Sequence, residues 1–221
     1  MDDDLRQTAS PAAVHDDRFG LLLDLRYLAS AFLEEVVARN GDRVLSPAIS
    51  GEMADRAVAV RASLDRLARL GDCLGLTAVL PPRIDLAAGF AAIARQAGVA
   101  VFDPLATGTE LLTSALLVNS LGYPVIAALL CEGDTAAWRR ELLPVFADDC
   151  RFEGYLKAAL VSHDPGAACR ASELLTLSCG SLSAGERLWG FDLLRMAISQ
   201  FVCGGNRDRK GGFFPDGMSG G

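Results

Sequence analysis

Apolar residues recur along this chain in two kinds of pattern. From residue 17 to 39 the period is helical: Leu21, Leu22, Leu25, Leu28, Phe32, Leu33, Val36 and Val37 form one wide stripe, with Asp24, Arg26, Glu34 and Glu35 off it. A strand over 19–25 is the competing reading, and the uninterrupted stripe favours helix. A second helix is predicted from Ser50, with Met53, Ala57, Val60, Leu64 and Leu67 following at spacings of four and three. Ser50 and Met53 stand where an N-cap and its third helical residue would. Further helices are predicted over 84–97, 108–121 and 135–147, the last kinked or ended by Pro144. Three more are predicted over 152–161, 167–177 and 184–202, the last with Leu188, Phe191, Leu194, Ile198 and Phe201 at helical spacing.

Between these helices lie short continuous apolar runs, each entered through a glycine-marked turn. They are Val44-Leu45, Val79-Leu80, Val99 to Phe102 and Val125 to Leu130, and the first three stop at Pro47, Pro81-Pro82 and Pro104. Glycine ends helices and proline ends strands, so the cadence predicts an alternating layout. An unbroken apolar run suits a strand buried on both faces. The expected fold is α/β: a short, mostly parallel sheet of about four strands flanked by helices, with an N-terminal helix and a helical C-terminal part. An all-α fold is the alternative, because periodicity does not separate a short buried strand from a buried helical turn. The expected organisation is an unstructured acidic start over 1–16, one globular domain over 17–203 and a flexible glycine-rich tail over 204–221. Within the domain, 17–149 forms the α/β core and 150–203 the helical part.

Composition narrows the classes. Among 221 residues, 51 % are hydrophobic and mean hydropathy is +0.27, so a membrane span has to be weighed. The uncharged stretch 111–131 is long enough, but Asn119 to Pro124 interrupts it and acids flank it, which favours core elements over a span. The net charge of −7 argues against nucleic acid and anionic membranes as partners. Arg207, Arg209 and Lys210 are the local exception, read as a solvated end. Met1-Asp2-Asp3-Asp4 does not open a secretory signal, and six cysteines without a CxxC pair suit a reducing, cytoplasmic setting.

Chemistry is sparse. The histidines are His15 and His163, without an HExxH or triad context, and no Walker or dinucleotide fingerprint occurs, so neither a metal nor a cofactor is expected. Ligands of an α/β sheet bind at the carboxyl ends of its strands. Two such junctions are polar, giving Asp103, Thr107, Thr109, Glu132 and Asp134 as candidate ligand-binding residues for a small anionic ligand, free or Mg-bound. Ordinary helix capping by the same residues is the plainer reading. Arg83 could add a cation at that edge, and pairing with Asp85 is its simpler use. The functional expectation is a cytoplasmic accessory or regulatory protein acting through a protein partner or self-association. A small-ligand enzyme or binder is the alternative.

Overall fold

A computed structural model of the chain describes residues 11–39, 44–76, 84–90, 103–132 and 136–166. They are overwhelmingly helical. Among the described residues five helices have both ends in view, α1 (Pro11–Ala38), α2 (Pro47–Leu74), α3 (Gly108–Ser120), α4 (Tyr123–Glu132) and α5 (Ala136–His163), and residues 86–90 are helical as well. Among the described residues there is no strand, and only Ile84 has isolated bridge geometry. The α/β expectation is therefore corrected to an all-helical architecture. The run Val125 to Leu130 lies inside α4, and Val44-Leu45 forms the turn into α2. The runs at 79–80 and 99–102 lie outside the described residues.

Local chemistry explains the correction. Ser46 caps α2 from an extended backbone, its Oγ accepting from Ile49 N at 3.4 Å, and Pro47 occupies the first helical turn. Proline is well placed there because its missing N–H would have had no intrahelical partner. The proline that reads as a strand terminator is thus a helix initiator. Gly75 ends α2 in the left-handed region (φ 69°), and Leu76 N donates back to Gly71 O at 2.9 Å. Thr107 caps α3, its Oγ1 accepting from Glu110 N at 3.2 Å. Pro124 cannot donate to the carbonyl four residues back, so the apolar rod breaks at 121–122 into α3 and α4.

α1 is the central helix. Between Phe19 and Val36 it buries residues on nearly every side, including Leu21, Leu22, Leu23, Leu25, Leu28 and Phe32, as a helix enclosed by others does. It packs on α2, α3 and α4. α1 and α2 run antiparallel, with Phe19 at Gly71, Arg26 at Ser63 and Glu34 at Arg61. α3 and α5 are antiparallel as well, with Gly108 at His163 and Asn119 at Asp149. Gly71 is required at its crossing, since an added Cβ would stand 2.5 Å from Phe19 Cε1.

α5 is one helix through Pro144, so the expected stop near 147 and separate helix over 152–161 are corrected to a single helix. Its buried row, Leu142, Val145, Asp149, Phe152, Leu156 and Leu160, continues at helical spacing past the proline. Packing along that row offsets the roughly 3 kcal/mol that an internal proline costs. Gly108–Cys131 is long and apolar enough to cross a bilayer, and 61 % of its most apolar window is buried inside the fold.

Candidate functional site

Three charged side chains meet in the interior. Arg26 comes from α1, Arg56 from α2 and Asp149 from α5, and each is buried to within 4 % of completely. Each sits in an apolar row of its helix: Arg26 one turn after Leu22, Arg56 one turn after Met53, Asp149 one turn after Val145. Once those rows pack, the charges have no route to water.

Asp149 is therefore fully occupied. Arg26 Nη1 donates to both its oxygens, at 2.7 and 2.9 Å. This is one nitrogen on two oxygens, short of the two-nitrogen fork that arginine can offer. Arg56 Nη2 donates to Asp149 Oδ1 and, at 3.1 Å, to Asn119 Oδ1. Arg26 Nη2 reaches Ser63 Oγ at 2.9 Å, and that hydroxyl donates to Val60 O at 2.7 Å. The backbone carbonyl of Asp149 accepts from Asn119 Nδ2 at 3.0 Å and from the Tyr123 hydroxyl at 2.8 Å. Asn119 Nδ2 also lies 3.1 Å from the Tyr123 oxygen. The Arg56 guanidinium sits 5.0 Å from the centre of the Phe152 ring, within reach of its negative face. All five helices contribute to this one network.

Its electrostatics are uneven, with two cations around one anion. Burial pulls the Arg56 guanidinium below its ordinary range; Asp149 opposes that effect and Arg26 adds to it. The Nε atoms of Arg26 and Arg56 are buried without a hydrogen-bond partner. Desolvating such charges costs several kcal/mol per ion, and only a well-made pairing recovers it. Burial, and next the neighbouring Glu153, push the Tyr123 hydroxyl well up, which keeps it a proton donor. Cys150 is exposed as a residue, yet its thiol lies beside Tyr123 and Glu153. Partial desolvation, then Glu153 and Asp149, push that thiol up and away from the reactive thiolate.

A carboxylate saturated by guanidinium donors is a poor general base, and guanidinium gives up no proton in ordinary conditions. The arrangement joins helices. Sequence reasoning placed Arg26 off the apolar stripe of its helix, and ended the helix predicted from residue 135 at 147, two residues short of Asp149. The signal that would have found the cluster was there: Asp149 keeps helical register with Leu142, Val145, Phe152 and Leu156.

The sequence-predicted site residues take other places. Asp103, Thr107 and Thr109 gather at the start of α3. Asp103 Oδ1 accepts from Leu105 N at 3.0 Å, Thr107 is the N-cap, and the Thr109 carbonyl accepts from Thr113 Oγ1 at 2.8 Å. Glu132 is the last residue of α4, the helix that follows α3 across the break at 121–122. Asp134 lies outside the described residues. His163 packs at the start of α3, its Nε2 2.8 Å from where a Cβ on Gly108 would be. Glu34 pairs with Ser30 and Arg61, and Glu35 with Arg39. Among the described residues no three His, Cys, Asp or Glu side chains cluster to hold a metal ion. Comparison with protein-family models, with characterised proteins and with solved structures finds no match to this chain.

Proposed function

We propose that this chain is a cytoplasmic accessory or regulatory protein that acts by contact with a protein partner, either another protein or a further copy of itself. The observation that supports this reading is the closure of the polar core. Arg26, Arg56, Asp149, Asn119 and Tyr123 bond mainly to one another, and in doing so tie five helices together. Chemistry-bearing side chains used this way hold a surface in shape. The overall charge of −7 makes nucleic acid and anionic membranes unfavourable partners.

The α3 start is the place where the small-ligand alternative would have to act. There Thr107 and Asp103 already satisfy main-chain amides, as capping and turn residues do.

The native mass of the chain in an extract of the cells that make it tests the proposal. An untagged chain detected after native size separation should run well above its own 23.3 kDa. Running at the mass of one chain, with the purified chain equally monomeric across concentration, would overturn it.

A further inference from the structure

The polar core carries one more positive charge than negative. Among the described residues Asp149 is the one carboxylate paired with Arg26 or Arg56, and both guanidinium groups donate to the same atom of it, Oδ1. Asp148 also attracts Arg56, more weakly than Asp149 does, from an exposed position where water screens it. Each arginine keeps one N–H unpaired as well, since both Nε atoms are buried and hydrogen-bonded to nothing. The acceptors around them are already engaged. Ser63 Oγ accepts from Arg26 Nη2, Asn119 Oδ1 from Arg56 Nη2, and the Asp149 carbonyl from Asn119 and Tyr123. Native interiors leave few such donors unpaired, and an unbalanced charge beside them adds its own desolvation cost. A water molecule would take the hydrogen bonds and leave the charge. An anion answers both.

We propose that the Arg26 and Arg56 pair binds a small monovalent anion, of the size and charge of chloride, inside the helix bundle. One negative charge brings two guanidinium groups and Asp149 to neutrality, whereas a divalent anion would reverse the imbalance. The surroundings set the size. Val60, Ser63 and Phe152 are each within 3 % of completely buried, and the Phe152 ring covers Arg56 with its centre 5.0 Å from the guanidinium carbon. A bulky organic acid would have to push helices apart to reach the same donors. The anion would add to what Asp149 does already: Asp149 ties both arginines to α5, and the ion strengthens the hold of α1 and α2 on the polar core.

This inference is independent of whether the chain acts by contact, because the ion belongs to the fold. Its test is the thermal midpoint of the purified full chain as sodium gluconate is exchanged for sodium chloride at constant ionic strength. Gluconate is too large for the interior, so chloride should raise the midpoint along a saturating curve. With chloride at ten times its dissociation constant, the rise for a chain of this length is roughly 3–6 °C. Bromide, close to chloride in size, should act alike. The triple replacement Arg26→Met, Arg56→Met and Asp149→Leu should lose the dependence. Asp149→Asn, which makes the surplus two charges, should gain more from chloride than the native chain does. Equal midpoints in the two salts overturn the proposal. So does a rise that never saturates, or one that the triple replacement shows equally. Saturation is read on the native chain alone, so the test decides even where a variant fails to fold.

Discussion

Replacing Asp149 with Asn removes one negative charge and almost no volume from the interior. The backbone carbonyl of residue 149 keeps its bonds from Asn119 and Tyr123, so the change isolates the carboxylate. Arg26 loses the anion that both of its carboxylate contacts reach, and Arg56 loses its only anionic hydrogen-bond partner among the described residues. Two guanidinium groups, 4 % and 3 % exposed, are left facing each other with no compensating charge. Breaking a buried pair in this way costs about 3–5 kcal/mol, because the surviving ion stays desolvated. Native domains hold only about 5–15 kcal/mol in all, so the variant should lose a large fraction of its stability. For a chain of this length that corresponds to a fall in Tm of roughly 6–20 °C. Urea unfolding followed by circular dichroism measures it directly. The matched control replaces the whole cluster: Arg26→Met, Arg56→Met and Asp149→Leu together should unfold at or above the wild-type midpoint, because no buried charge remains. If Asp149→Asn lies within about 0.5 kcal/mol of wild type, the reasoning fails, since that is the range of an ordinary surface change.

Two glycines of α2 should respond oppositely to alanine. Gly71→Ala puts a methyl against Phe19, itself held edge-on to Trp138 with ring centres 5.1 Å apart, and should cost about 1–3 kcal/mol despite the better helix former. Gly51→Ala meets open space and should stabilise by up to about 1 kcal/mol, so equal midpoints for the two variants would contradict the packing. Stability should also fall at alkaline pH. The Tyr123 hydroxyl is held protonated in the fold, so stability is full below the ordinary tyrosine value near 10 and declines above it as the unfolded chain ionises. Tyr123→Phe should cost about 0.5–1.5 kcal/mol at neutral pH through the lost bond to Asp149 O, and should flatten that decline in urea midpoints taken from pH 8 to 11. An unchanged alkaline slope would refute this.

Helix faces were the legible part of the fold. Met53, Ala57, Val60, Leu64 and Leu67, picked out by spacing alone, are the buried side of α2, and α3 covers nearly the span its pattern predicts. The two expected strands that fall within the described residues, at 44–45 and 125–130, were misread for a physical reason. Proline lacks an N–H, which suits both the end of a strand and the first turn of a helix, and Pro47 and Pro124 serve the second purpose. The run Val125 to Leu130 carries no polar residue to set a period, so its helical form rests on tertiary context. There α4 buries Val125, Ile126 and Leu129 and turns Ala127 outward. The register of Asp149 marked it as buried, but its pairing with the two arginines was illegible because the three are far apart in sequence. Arg26 stands 123 residues from Asp149, and a charge inside an apolar row is assigned to solvent until its partner is known. Of the predicted site residues, Thr107 and Asp103 have the capping and turn bonds that their types favour, and Glu132 ends α4.

The central claim is that the buried charges shape the molecule while its surface does the work. The charge-free triple replacement at 26, 56 and 149 tests this when it takes the place of the native chain in the cells that make it. Its native mass in extract should match the wild-type assembly, well above 23.3 kDa, with an unfolding midpoint at least as high. A variant that folds as stably as wild type yet runs at the mass of a single chain would contradict the claim, and would make the Arg26–Asp149–Arg56 cluster part of the function itself.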